Sequence, residues 1–489
     1  MSVDCLPVEV LSSVFQYLRV SDLLVASSVC KLWREASLCH LSKRVTIMIT
    51  DDAAPAIKTF LASSVIYQNW VFKELDITYD GQFSKLWEKV SENTKSLMLL
   101  NADCNERSFI NLLRSCSGLE ELILNGLAYL LMPGTLLSNP DDVKLLSHSL
   151  KHVSRLHLAC SRYLTDSLFS RITSVVGSLR KLSLAGCQIS FHSAIYKRFY
   201  PADGRIQTSD HVLTFDHILK YIEEKAETLK DISLGRTSID SESLHKLSKI
   251  PGLTLDSLHL MSCDQLSKSG IQLLCENQKN ITDLDLSLCS RITDYALLAI
   301  CEHLPNIKKL NIRRCQGITE NGITALRQAK QLEELNISHL DAVTSESVED
   351  ALGKDPRPQL KSLNIASLNL QWKAVASIAT MAPNLVHLDV SMCITGINDK
   401  SLQAICKNLT RLQTLFFNGC TAVTDIGLAG HGLGQMDPVP NVTGTGLSLE
   451  NLGVRERGEI KPNFSQIVFQ MQNHISSHEI RTLPNLRTS

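Results

Sequence analysis

Short alternating runs of the form Leu-x-Leu recur along this chain, many followed three residues later by a cysteine. One copy reads Leu284-Asp-Leu286, then Cys289; the next reads Leu310-Asn-Ile312, then Cys315. The frame also fits Leu182/Leu184/Cys187, Leu258/Leu260/Cys263, Leu388/Val390/Cys393 and Leu415/Phe417/Cys420, and Leu156/Leu158/Cys160 with a one-residue slip. Copies without the cysteine begin at Leu75/Ile77, Leu97/Leu99 and Leu122/Leu124 and return at Ile232/Leu234, Leu335/Ile337 and Leu363/Ile365. Alternation predicts a short strand with one face in a core. Each strand is followed by a helical stretch such as Tyr295 to Cys301, whose apolar residues share one side, and then by a stop such as Leu304-Pro305-Asn306. From Cys263 to Cys289 and from Cys289 to Cys315 the step is 26 residues. That period predicts a stacked solenoid with a parallel concave sheet and convex helices.

The repeat also explains most of the fifteen cysteines. A thiol at the turn after each strand is a small apolar filler that can donate weakly to backbone. Cys275, Cys301 and Cys406 fall on the following helices and read the same way. No pair has the spacing of a zinc clip, and the histidines show no ligand spacing, so neither a metal nor a cofactor is expected. A phosphate-cradling glycine loop, a His-Glu-x-x-His helix and a nucleophile elbow are all missing. Asp166, Asp294 and Asp425 recur in the Thr-Asp that opens the helical half of a repeat, and read as helix caps rather than acids or bases. The expectation is a binding protein and not an enzyme.

Over about 70–430 the pattern resembles the cysteine-containing branch of the leucine-rich-repeat family. The resemblance implies a curved α/β solenoid that binds other proteins through its concave face. Side chains alternate on a strand, so the residues flanking each buried pair should line that face. Among them His259, Met261, Arg313, His387 and Phe416 offer apolar contact, charge pairing and stacking to a protein target, with Arg313 and Phe416 the first choices as anchors.

The first forty residues break the frame. Leu6-Pro7 opens a segment in which Val10, Leu11, Val14, Phe15 and Leu18 recur at helical spacing. Ser21 can cap a second helix carrying Leu23 and Leu24, and Cys30 to Arg34 begins a third. Three short helices cannot bury so many apolar residues alone, which leaves either a partner surface or a cap on the solenoid's open end. Leu-Pro-x-Glu-x-Leu, a Leu-Leu pair after Ser-Asp, and Val29-Cys30-Lys31-x-Trp33 resemble an F-box. That resemblance implies docking on a Skp-type adaptor, and through it a cullin, by Leu6, Pro7, Leu11, Phe15, Leu18, Leu24 and Trp33. Joined to the repeats, it implies the substrate receptor of a Skp–cullin–F-box ubiquitin ligase. A ligase-independent scaffold or inhibitor is the alternative.

The expected map is an F-box at 1–40, a linker and solenoid cap at 41–70 with Val45, Ile47 and Ile49 as a capping strand, and repeats at 71–426. An insertion at about 190–210 carries Phe191, Tyr196, Phe199 and Tyr200, either as a contact surface or tucked onto the convex helices. Phe215 to Ala226 reads as the convex helix that follows it. Residues 427–489 read as a Gly/Pro-rich loop, a degenerate repeat at Leu449/Leu452/Val454 and a tail. Leu483-Pro484-Asn485-Leu486 copies the opening of a repeat, as a truncation or a divergent cap would. A formal net charge of −1 gives no field favouring nucleic acid or an anionic membrane. With neither a secretory leader nor an apolar span, a cytoplasmic or nuclear location is expected.

Overall fold

The computed structural model describes residues 7–50, 53–77, 81–132, 134–192 and 209–424, with the backbone of Val442–Thr443 and Ile467–Val468. The expectations for 427–454 and for the tail therefore fall outside the described residues. The chain divides into two compact units, Met1–Gln265 and Leu266–Ser489.

The first unit opens with three helices, α1 Val8–Phe15, α2 Val20–Ala26 and α3 Lys31–Arg44. Pro7 stands at the N-cap of α1, where its missing N–H is no loss, and its carbonyl accepts from Val10 and Leu11. The N-cap of α2 is Arg19, paired with Asp22 at 3.0 Å, so Ser21 lies inside the first turn rather than capping it. Leu11, Phe15, Leu23, Ala26, Ala36 and Leu41 form the core, with Leu18 and Trp33 packed against it. The rings of Phe15 and Trp33 meet edge to face at 5.2 Å. From α3, Arg44 donates to the carbonyls of Leu18 and Gln16, closing the end of α1.

Next comes a parallel ladder. Its strands are β1 Thr46–Ile49, β2 Asn69–Lys73, β3 Ser96–Leu100, β4 Glu121–Asn125, β5 Arg155–Ala159 and β6 Lys181–Ser183, continued by β9 Asp231–Ser233 and β10 Ser257–His259. Between these, β7 Ile189–Ser190 pairs with β8 Leu213–Thr214 outside the ladder. The Leu-x-Leu pairs of β3, β4 and β5 all face inward. One copy differs from expectation. The strand opposite Leu97 and Leu99 presents Trp70 and Phe72, not Leu75 and Ile77, so two aromatics take the leucine positions. The ladder begins still earlier, with Ile47 and Ile49 of β1 opposite Trp70 and Phe72.

The β7–β8 pair closes the base of the insertion, and the helix Phe215–Glu224 comes after it as the pattern predicts. The ring of Phe191 lies 4.8 Å from that of Phe215, so this aromatic of the insertion is tucked onto the helix. Tyr196, Phe199 and Tyr200 lie outside the described residues.

The second unit holds β11 Asp283–Asp285, β12 Lys309–Asn311, β13 Glu334–Asn336, β14 Ser362–Asn364, β15 His387–Asp389 and β16 Thr414–Phe416, paired in sequence order. The way these strands end explains the repeat's spacing. The side-chain oxygens of Asp285, Asn311, Asn336, Asn364 and Asp389 each accept from the amide two residues on. Leu288, Arg314, His339, Ser367 and Met392 then turn into the left-handed region, with φ between 55° and 61°. The following residue is driven inward. In both units that inward slot takes the frame cysteine, and Cys263, Cys289, Cys315 and Cys393 are wholly buried. The thiols donate to the carbonyl of the preceding repeat: Cys187 to Leu158, Cys263 to Leu234, Cys315 to Leu286, and Cys393 to Ile365, at 2.6–3.3 Å.

Two readings of the frame are corrected. Cys160 is not in the slot; it takes the left-handed turn, with φ 54°, and is exposed, while Ser161 points inward. Nor do Asp166 and Asp294 cap their own helices. Thr165 caps Asp166–Val175, and Thr293 stands at the N-cap of Asp294–His303. Each aspartate instead reaches across the solenoid to the next repeat. Asp166 accepts from Thr214 N and Oγ1 at 2.7 and 3.0 Å, and Asp294 from Thr319 N and Oγ1 at 2.7 Å each. Asp399 binds Thr424 in the same way, whereas Asp425 lies outside the described residues.

Candidate protein-docking surfaces

The helical face read from the sequence as one stripe is two. Leu11 and Phe15 turn into the three-helix core, 2% and 3% exposed, while Val10 and Val14 point to solvent with Tyr17, which is 83% exposed. On α2, Leu23 and Ala26 are buried, while Val20, Leu24 and Val25 are exposed, and Val29 follows in the turn. This places the expected adaptor residues differently. Pro7 and Leu24 are on the surface, and Leu18 and Trp33 are half-buried beside the core. Leu11 and Phe15 are inside, so they hold the helices that carry the surface and cannot form it. Leu6 lies outside the described residues. The sequence reading missed Val10, Val14, Tyr17, Val20, Val25 and Val29 as surface. The signal was there: a helix apolar on both sides has a second face to cover.

On the first unit's concave side, the strand centres Met48, Val71, Met98, Ile123 and His157 stand opposite one another across the ladder. Burial pushes the His157 ring down to about 4, with Lys181 and Arg155 acting in the same sense, so it is neutral near pH 7 although Glu121 lies 3.8 Å away. His259 and Met261 belong to this unit and are half-buried; His259 Nε2 and Ser257 Oγ are hydrogen-bonded at 2.9 Å.

The other three candidates belong to the second unit. His387 is exposed and hydrogen-bonded to Thr414 on the adjacent strand at 2.6 Å. Phe416, half-buried, stands opposite Asp389, so the structure brings it beside His387. Arg313 is exposed just beyond β12, three strands from β15 and four from β16.

Outside these faces, the helices Asp166–Val175 and Phe215–Glu224 flank a convex groove of about 370 Å³ lined by Phe169, Ser170, His217 and Tyr221. Ser170 Oγ and His217 Nε2 are 2.7 Å apart. The carboxylate of Asp166 is engaged by Ser209 and Thr214 rather than by the imidazole, so the pair is not a relay of three groups.

Residues 3–48 match the F-box-like family. No curated protein matches the chain. Among solved structures, the crystal structure of the Rad7 and Elc1 complex in yeast aligns at 16% identity with a TM-score of 0.49, over 86% of this chain and 88% of that one. An internalin (inlF) from Listeria monocytogenes aligns at 15% identity with a TM-score of 0.36, over 81% and 93%. The N-terminal match and the repeat architecture together define the class: an F-box-like domain followed by leucine-rich repeats.

Proposed function

We propose that this chain is the substrate-recognition subunit of a Skp–cullin–F-box ubiquitin ligase. The observation that carries the reading is the outward apolar face of α1 and α2, on the segment that matches the F-box-like family. Seven large apolar side chains between Val10 and Val29 face solvent, which a domain of this size tolerates when a partner covers them. In this reading Val10, Val14, Tyr17 and Leu24, with Pro7 and the rims of Leu18 and Trp33, meet the Skp-type adaptor. The concave faces receive a protein target, with Arg313, His387 and Phe416 on one unit and His259 and Met261 on the other. Transfer of ubiquitin belongs to the recruited cullin module, and this chain contributes proximity. The described cysteines are all free, which fits a reducing cytoplasm or nucleus.

The test is co-purification of the full chain with the Skp adaptor and cullin. Val14→Asp with Tyr17→Asp should reduce adaptor recovery at least tenfold while the circular dichroism spectrum is unchanged. Leu11→Ala should act instead through the fold, costing about 2–5 kcal/mol. Full recovery of adaptor by the double aspartate variant would leave the reading without its surface, and a ligase-independent scaffold would take its place.

A further inference from the structure

The strand-exit side of the second unit has a charge arrangement unlike the opposite end of the same strands. At the opposite end the cations are neutralised: Lys309 pairs with Glu334 at 2.6 Å, and Glu333 is shared by Lys308 and Lys361 at 3.3 and 2.6 Å. At the exit side Arg313 and Arg314 are both exposed, and neither guanidinium has an ion pair or hydrogen bond among the described residues. They crowd the half-buried His339, whose ring is pushed down by burial first and then by the charges of Arg314 and Arg313. The acids that act on that ring in the opposite sense are Asp341 and Asp389. The carboxylate of Asp389 is already engaged, by Asn364 Nδ2 at 3.1 Å and by the Ser391 amide.

We propose that Arg313 and Arg314 bind an acidic side chain of the target protein, presented on an extended segment that crosses the sheet toward His387 and Phe416. This rests on the receptor reading and adds the chemistry of what is received. Two adjacent unpaired guanidinium groups offer planar, multidentate donors that match a carboxylate or a phosphoryl group. Between Arg313 and β16 the intervening side chains are short. The ladder continues past the strands, with the Arg314 amide on Ser338 O, His339 on Ala366 O, and Ser367 on Ser391 O, at 2.8–3.1 Å. Toward β16, Arg313 has Ser338, Ala366, Ser391 and Asn418 in its row, and Phe416 stands two residues nearer the strand start, in the row of Asn336, Asn364 and Asp389. Four inter-strand spacings separate β12 from β16, roughly 19 Å, the reach of about six extended residues. The segment so defined has an acidic residue at one end and an apolar or aromatic residue about six positions away.

The purified full chain, probed on an array of ten-residue peptides, tests this. Glutamate, phosphoserine, serine or lysine is fixed at one position, leucine or phenylalanine six positions away, and the remainder is randomised. Retention of the glutamate or phosphoserine peptides at least tenfold above the serine and lysine sets is expected, and the two anionic arms tell a carboxylate from a phosphoryl group. Arg313→Glu with Arg314→Glu should abolish the preference. Lys373→Glu with Lys407→Glu, the same change in net charge at two exposed positions elsewhere, should leave it intact. No anionic preference, or equal loss in both variants, overturns the proposal. The array does not depend on adaptor, so failed adaptor capture would sink the receptor reading without touching this result.

Discussion

At the scale of single residues, the cysteine slot shows why a thiol suits this solenoid. The position is wholly enclosed at Cys263, Cys289 and Cys315, yet at Cys263 and Cys315 it faces a backbone carbonyl of the preceding repeat. A thiol is apolar enough to be buried cheaply and can still donate. Thr237 holds the equivalent position and donates instead to Leu234 O of its own repeat at 2.6 Å, so the slot accepts a hydroxyl whose rotamer finds a carbonyl. Ser161 holds it without a partner. Replacing Cys315 with serine should therefore cost about 1–3 kcal/mol, and with threonine less, as read by urea unfolding. In native protein a bulky maleimide should modify Cys30, Cys39 and Cys160, which are exposed, long before Cys187, Cys263, Cys289, Cys315 or Cys393. Rapid native labelling of those five would contradict the slot.

At the scale of elements, neighbouring repeats are fastened by polar groups as well as by packing. The carboxylate of Asp294 engages both the amide and the hydroxyl of Thr319, at the start of the next convex helix. Gly322 sits so close that an added Cβ would stand 2.3 Å from Asp294 Oδ1. Asp294→Ala should lower stability by about 1–3 kcal/mol and Asp294→Asn by less, since asparagine keeps one acceptor. Gly322→Ala should displace the carboxylate and cost a similar amount. A second fastening is Arg357, 2% exposed, whose guanidinium donates to the carbonyls of Leu326, Ala329 and Ala351 at 2.7–2.9 Å. It serves the ends of two short, irregular helical segments, Thr324–Arg327 and Glu349–Gly353. Arg357→Met, of similar length but unable to donate, should cost about 3 kcal/mol by leaving those carbonyls unpaired. An unchanged urea midpoint would show that water replaces the guanidinium.

At the scale of the whole molecule, the buried thiols act together on the pH range of stability. Burial pushes Cys104, Cys116, Cys187, Cys275, Cys301, Cys315, Cys393 and Cys406 up to about 12, from an ordinary value of 9.0. Above pH 9 the unfolded chain loses these protons while the folded chain keeps them. The unfolded state then binds fewer protons, so stability falls as pH rises through the window from 9 to 12. The urea midpoint should drop clearly between pH 8 and pH 10.5, and less in a variant with Cys275→Ala and Cys301→Ala. A midpoint that holds level over that interval would mean that the thiols ionise in place.

The sequence by itself determined the features that rest on periodicity. The Leu-x-Leu alternation and the 26-residue step specified strands, convex helices and stacking, because side-chain direction on a strand or helix is set by local geometry. The F-box-like segment was legible for a similar reason, its residues being short-range in sequence. What the tertiary structure decided is which of two chemically equivalent positions faces inward. It gave the leucine places of β2 to Trp70 and Phe72, moved Cys160 out of the slot, and turned Leu11 and Phe15 inward while Val14 and Tyr17 faced out. It also set the partners of Asp166 and Asp294, and it placed the unpaired Arg313 and Arg314 on the same unit as His387 and Phe416. These depend on contacts between segments 25 or more residues apart, as from Asp294 to Thr319, which no local pattern encodes.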